Sequence, residues 1–282
     1  MTGRSSLLHG TDLGLLIGGS LIAILGAVVF LAPTVLGIDG EAMAIDAILS
    51  PPTAEHWLGT DQLGRDILAR TLIGGRSTLS LAAAATLLGV GLGALIGMVA
   101  GYKGGLLDEL LMRLGDAVMA LPSLILAMLV MVAVGSGPAA ILMAIVLIFA
   151  PRAARITRSV VLNVVNLEFV SAASVIGESQ VSVIFREILP NIWPNLLVEA
   201  CLRFSYAILI ISALGYLGIG LQPPTPDWGL MISEAASYVT VAPWMLFGPA
   251  GAIVLSVVSV NLVGDFLQEW IGLRMRRAVS HV

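Results

Sequence analysis

Charge is what this chain of 282 residues lacks: 11% are Asp, Glu, Lys or Arg, against 58% hydrophobic, and the mean hydropathy is +1.00. A soluble domain carries about a quarter charged residues, so this composition excludes one and places the chain in a bilayer. Lysine is nearly missing. The single one, Lys103, follows Tyr102, whereas a P-loop needs Gly-Lys before Ser or Thr so that the ammonium reaches the phosphates; ATP binding of that kind is excluded. The lone cysteine, Cys201, excludes a disulfide within the chain and a cysteine-based metal cluster. His9, His56 and His281 stand far apart without ligand spacing, so no metal site is expected. No Ser-His-Asp set or carboxylate pair is suggested, and no catalytic residue is expected.

What the chain has is long apolar runs. Crossing the hydrocarbon core as a helix takes about 20 apolar residues, and six stretches qualify: Leu13 to Leu36, Thr78 to Gly101, Ala117 to Val134, Pro138 to Val160, Asn195 to Gly220 and Pro243 to Gly272. The first exceeds a signal-peptide core and reads as a retained anchor. The organisation expected is a tail with the first span (1–37), an external segment (38–77), a core of spans (78–272) with a loop at about 161–194, and a tail (273–282).

Arginine and lysine resist translocation in short loops. With the amino terminus inside, the inner segments hold Arg4, Lys103, Arg113, Arg152, Arg155, Arg158, Arg186, Arg203, Arg274, Arg276 and Arg277, leaving Arg65, Arg70 and Arg76 outside. That asymmetry puts both termini and the 161–194 loop in the cytoplasm. Trp193 and Trp270 then fall at the inner interface, Trp228 and Trp244 at the outer one.

Within the external segment, His56-Trp-Leu-Gly-Thr-Asp-Gln-Leu-Gly-Arg-Asp66 combines two glycines and two aspartates, turn chemistry that predicts an ordered loop. Gly89, Gly93, Gly97 and Gly101 recur every four residues, a stripe for close helix approach, either within the chain or against a partner. Glu199 and Arg203, four apart at the start of span five, make a structural pair or a gate. Arg152, Arg155 and Arg158 meet lipid headgroups or an acidic partner. Cys201, Ser205, Ser212 and Tyr216 form a weakly polar stripe, serving interhelical hydrogen bonds or a pathway. Gly218 to Gly229, with Pro223, Pro224 and Trp228, predicts a rigid external turn or re-entrant segment. The spans carry no ionisable group at the midplane, Asp116, Glu199, Arg203, Asp265 and Glu269 all falling in cytoplasmic-side turns, which argues against an ion-coupled carrier. Uphill transport then needs a driving force from another subunit.

The segment Glu168-Phe-Val-Ser-Ala-Ala-Ser-Val-Ile-Gly177, followed by Leu189-Pro190, interrupts the apolar runs and predicts two short helices joined at Gly177. It resembles the EAA loop of ABC importer permeases, with Ala172, Ala173, Gly177, Leu189 and Pro190 matching; Ser171 stands at the motif's glutamate position and Glu187 where an isoleucine is usual. Gly59-Thr-Asp61-Gln-Leu-Gly64-Arg65-Asp66, Gln222 to Gly229 and Asn261 to Asp265 are similar to the dipeptide, oligopeptide and nickel permeases, in particular the C-type subunit. That resemblance implies an all-α membrane protein, a six-helix type I permease in a bacterial or archaeal inner membrane. It further implies a homologous B-type permease, two ATP-binding subunits that hold ATP and Mg, an extracytoplasmic solute-binding protein, and no nucleic acid or cofactor of this chain's own. Peptides are the expected solute, with nickel, opines or glutathione as family alternatives, and a stand-alone channel or ion-coupled carrier as the alternative of another class. Small residues at Ala172, Ala173 and Gly177 would fit a groove on the ATPase.

Overall fold

The computed structural model describes residues 4–279, with side chains from 16 to 272. The basic side chains of Arg4, Arg274, Arg276 and Arg277 and the histidines His9 and His281 fall outside those described. Among the described residues the fold is helical, with two isolated β-bridges and no strand. Helix α1 spans Arg4–Phe30 and a short α2 follows at Ala32–Val35; α3 is Ile67–Lys103, α4 Gly105–Met119, α5 Ser123–Val134 and α6 Pro138–Val164. Helices α7 (Glu168–Val175) and α8 (Gln180–Ser182) form an elbow that runs through a π-helical turn at Val183–Ile188 into α9 (Leu189–Tyr216). Helix α10 is Trp228–Ala236 and α11 Phe247–Val279.

Five described segments are long and apolar enough to cross a membrane, and the α4–α5 pair makes the sixth. That sixth crossing departs from the expected Ala117 to Val134 helix, because α4 and α5 meet at 88°. Pro122, which has no N–H and holds its predecessor out of helical geometry, is the N-cap of α5 and sets the break. The second span also differs, since α3 begins at Ile67, eleven residues before Thr78. Asp66 starts it as N-cap, its carboxylate accepting from the Ala69 amide at 2.8 Å.

The bundle is built on α3 against α6. A Cβ on Gly89 would sit 2.8 Å from the Phe149 Cβ, and one on Gly93 2.5 Å from both the Ala150 carbonyl oxygen and the Ala153 Cβ. Gly97 and Gly101 face Thr157 and Val161 in the same way. The glycine stripe is therefore filled by this chain's own α6, and that geometry settles which partner it has. Around the seam lies one core, with Phe149, Ile141, Ile145, Ile208, Ile211 and Leu214 buried, and a second, smaller one at the elbow.

Candidate functional site

At the elbow, α7 stops because Gly177 adopts φ +86, the left-handed conformation that closes a helix; its amide donates to the Ser174 carbonyl and the Glu178 amide to that of Ala173. No atom lies within 4 Å of a Cβ built on Gly177, so the glycine serves its backbone angle and not a tight contact. Ser179 caps α8, accepting from the Ser182 amide. The π-turn comes immediately before Pro190, where the missing N–H and the ring would disturb regular α-helical bonding; the Leu189 amide instead donates five residues back, to Ile184.

This local geometry sorts the elbow's side chains. Val170 and Ala173 are buried and join Val183, Ile184 and Ile188 against Met98 of α3, Val161 of α6 and Ile192 of α9. Glu168, Ser171 and Ala172 face out, together with Val175 (86% exposed) and Ile176 (77%). Ala173 packs into its own chain instead of presenting itself to a partner's groove, whereas Gly177 makes its left-handed turn on the exposed surface of the elbow. The exposed apolar residues Val175, Ile176, Val181 and Phe185 belong to no motif and were missed in the sequence. Leu189 is half-buried and Pro190 exposed.

At the opposite end of the bundle, the segment before α3 is locked in place. Asp61 is the hub: its Oδ1 accepts from the amides of Leu63 (2.8 Å) and Arg65 (3.0 Å), while Oδ2 accepts from Arg65 Nε and Arg70 Nη1, both at 2.7 Å. Arg70 Nη1 also reaches Glu234 of α10 at 2.7 Å. Two guanidiniums face two carboxylates, with Asp61, Arg65 and Arg70 each under 10% exposed. His56 Nδ1 lies 2.8 Å from Asp66. Gly59 and Gly64 take left-handed angles, and the Ala44 carbonyl lies where a Gly64 side chain would begin. Arg76 donates to the Val29 and Phe30 carbonyls, capping the end of α1. The three arginines expected outside are thus all engaged, which removes most of the cost of placing them there.

Helix α10 dips back between α3 and α9. Asp227 caps it, accepting from the amides of Gly229 (2.8 Å) and Leu230 (3.0 Å). Its other oxygen is buried without a partner among the described residues, and burial pushes the carboxyl up to about 6 despite those two amides. Gly229 packs on the Ser212 carbonyl. Trp228, expected at an interface, is 0% exposed and donates from Nε1 to the Thr71 carbonyl at 2.9 Å; its indole is satisfied inside the chain, which overrides the aromatic-belt rule. Pro223 and Pro224 remain on the exposed turn.

The polar residues of α9 divide. Ser205 is buried and donates to Asn261 of α11 at 3.0 Å, and Ser212 is buried beneath Gly229. Neither lines an open surface of this chain, which corrects the pathway expectation for both; Tyr216 is 49% exposed. Glu199 and Arg203 pair through Nε at 2.5 Å, and because α9 begins at Leu189 they stand in its middle and not at its start. Arg155 and Arg158 pair with Asp116 and Asp108 of α4, the first pair on the exposed surface and the second half-buried. Asp265 is exposed on α11. Among the described residues no cluster of His, Cys, Asp or Glu could hold a metal.

Residues 93–277 match the model of the "Binding-protein-dependent transport system inner membrane component" family. The chain is 37% identical over 253 residues, 88% of its length and 84% of the relative's, to a di/tripeptide transport system permease protein, DppC, of Pseudomonas aeruginosa. It is 35% identical, over 89% of this chain and 84% of the relative, to a glutathione transport system permease protein, GsiD, of Pectobacterium atrosepticum. An oligopeptide permease, OppC, of Bacillus subtilis is 37% identical over 80% of this chain and 74% of its own. Among solved structures, an inward-facing form of the MetNI methionine ABC transporter superposes with a TM-score of 0.56 at 18% identity, covering 76% of this chain and 96% of that one.

Proposed function

The chain belongs to the binding-protein-dependent transport system inner membrane component family, and from that premise we propose that it is one of two permease subunits of an ATP-driven importer for short peptides. The observation that carries this reading is the elbow. A helix-turn-helix with buried Val170 and Ala173 is fixed to the ends of α3, α6 and α9, while Val175, Ile176, Val181 and Phe185 stand exposed at its tip. An exposed apolar tip on a rigidly packed base is suited to seat in a partner and to pass that partner's motion into the bundle.

In this reading Glu168, Ser171, Ala172, Val175 and Ile176 meet a cytoplasmic ATPase subunit, and Ala173, Gly177, Leu189 and Pro190 hold the lever's shape. Both termini are cytoplasmic, and the segment carrying His56, Gly59, Asp61, Gly64, Arg65 and Asp66 faces the solute-binding protein. A homologous permease completes the pathway, a second ATPase completes the motor, and ATP and Mg stay in the motor subunits. Peptides are favoured because the similar proteins named for di/tripeptide, oligopeptide and glutathione transport share peptide-like solutes.

The test is reconstitution of the full importer with its binding protein and ATPases in proteoliposomes. ATP-dependent accumulation of trialanine is expected, and its loss in the Val175→Asp, Ile176→Asp double variant together with loss of ATPase co-purification. Accumulation driven by an ion gradient without the ATPases would overturn the reading.

A further inference from the structure

The segment before α3 carries charge of one sign on its surface. Every exposed charged residue from 38 to 77, namely Asp39, Glu41, Asp46 and Glu55, is acidic, and none of them has an ion-pair partner among the described residues. The basic residues are engaged inside: Arg65 and Arg70 are buried on Asp61 and Glu234, and Arg76 is turned onto the end of α1.

Beside these acids opens an apolar cleft of about 530 Å³, lined by Ala32 and Leu36 at α2, Leu68 and Leu72 of α3, and Glu55 and Trp57 of the segment itself. Trp57 is 72% exposed although its Nε1 donates to the Ala54 carbonyl at 3.2 Å, so the indole is oriented and still uncovered. Asp39 follows Ile38, which also lines the cleft, and accepts from the Glu41 amide at 2.8 Å. The turn that carries Glu55 and Trp57 is rigid. The Thr53 amide donates to the His56 carbonyl at 2.9 Å and the His56 amide to the Thr53 hydroxyl at 3.1 Å, while His56 Nδ1 lies 2.8 Å from Asp66, the N-cap of α3. A surface held in this way loses little freedom on binding, and an uncovered tryptophan at an apolar recess is suited to anchor a protein contact.

Charge decides among the occupants. A second copy of this chain would set the same acids against one another, and like charges across an interface oppose it. A phospholipid surface brings phosphates toward carboxylates, which repel them. Among the described residues no group of His, Cys, Asp or Glu is placed to hold a metal ion. The occupant that answers both features is a protein surface with a projecting apolar side chain ringed by Lys or Arg.

We propose that this cleft is where the solute-binding protein docks on this chain, seating an apolar side chain beside Trp57 and setting basic side chains against Glu55 and Asp39. This rests on the importer reading above, in which the segment faces that protein. Opposite charge speeds the encounter and fixes its register, and the apolar anchor holds the complex. Leu68 and Leu72 belong to α3, which also supplies Met98 to the elbow core, so the docked protein bears on a helix that reaches the elbow.

The experiment measures ATP hydrolysis by the complete reconstituted importer against the concentration of its trialanine-loaded binding protein, at about 0.05 M and about 0.5 M salt, and scores ATPase co-purification for each variant. Trp57→Ala should raise the half-saturating concentration about tenfold or more at both salts, and Trp57→Phe should recover most of it. The Glu55→Gln, Asp39→Asn double variant should raise it about threefold to tenfold at low salt and less than about twofold at high salt, where screening weakens the wild type as well. The saturated rate should stay within about twofold of wild type throughout. Unchanged half-saturation in either the Trp57→Ala or the double variant overturns the inference alone. So does a Trp57→Ala effect that is present without the binding protein and follows vesicle composition, phosphatidylethanolamine against phosphatidylcholine, which assigns the cleft to lipid. Loss of the ATPases from these variants assigns the residues to assembly and overturns it too. Wild-type protein whose hydrolysis ignores the loaded binding protein, and which accumulates no trialanine, overturns the importer reading and this inference with it.

Discussion

Replacing Asp61 by asparagine tests the outer lock most directly. The amide side chain has the same shape, and its carbonyl oxygen still accepts from the Leu63 and Arg65 amides that Asp61 now holds at 2.8 and 3.0 Å; the turn survives. At the other position an NH2 group replaces the oxygen that both Arg65 and Arg70 now approach to 2.7 Å. Two guanidiniums, 8% and 3% exposed, are left with Glu234 as their only carboxylate among the described residues. Removing one member of a buried pair costs about 3 to 5 kcal/mol, largely from the uncompensated charge that remains. Glu234, at 20% side-chain exposure and 2.7 Å from Arg70, keeps part of the balance, which places the expected cost near the lower bound, about 3 kcal/mol. That is roughly a hundredfold shift in the local opening equilibrium. Hydrogen exchange is the assay. The Asp61 and Arg65 amides, bonded to the Arg65 carbonyl and the Asp61 carboxylate, should exchange about a hundredfold faster while α6 amides are unchanged. Removing a charge on each side should couple favourably, so Asp61→Asn with Arg65→Gln should exchange more slowly than Asp61→Asn alone. If the single variant exchanges at the wild-type rate, or the double variant is the looser of the two, the lock is not electrostatic.

Three more outcomes follow from single sites. At Asp227, burial raises the carboxyl from its ordinary 3.8 to about 6, so the folded chain binds the proton more tightly than the unfolded one and stability falls as pH rises from about 4 to about 6, then levels. Asp227→Asn keeps an acceptor for the Gly229 and Leu230 amides, and thermal unfolding in detergent should lose that part of the pH slope; an unchanged slope would show that other carboxylates produce it. Gly93→Leu forces the α3–α6 seam apart, since even its Cβ would stand 2.5 Å from the Ala150 carbonyl oxygen; overpacking of this kind costs about 1 to 3 kcal/mol, read as a lower midpoint in detergent unfolding, whereas Gly91→Leu, with open space around it, should not shift. Gly177→Val strains a φ of +86 by about 1 to 2 kcal/mol and should lower ATP-driven uptake with membrane insertion intact; wild-type uptake by that variant would remove the elbow from the transport cycle.

Why some of this was legible beforehand and some not comes down to what periodicity carries. A four-residue glycine repeat states that a backbone approaches one face of α3, and it cannot state whose. The answer lies in Phe149, Ala153 and Thr157, whose spacing on α6 is unremarked in a uniformly apolar run. The elbow was readable because Gly177, Pro190 and the polar residues between interrupt a chain that is otherwise apolar, and such interruptions have few local solutions. Pro122 carried the same signal for the α4–α5 break, but it was outweighed by the unbroken hydropathy of Ala117 to Val134. In a bilayer, hydropathy fixes depth and says nothing of helix continuity.

Charges show the same limit more sharply. Counting arginines by side treats each as free, whereas the fold gives Arg65 and Arg70 a shared pair of carboxylates, Arg76 the end of α1, and Arg155 and Arg158 the acids of α4. None of these pairings except Asp61–Arg65 is local in sequence. Once they are assigned, the residue that stands out is one the sequence grouped with its neighbours. Arg152 shares a helix and a spacing with Arg155 and Arg158, yet α4 has ended where it would need an acid, because Pro122 turns the chain away. The break that leaves the third span in two pieces is therefore also what leaves Arg152 without an acid among the described residues, half-buried where α4 and α5 part.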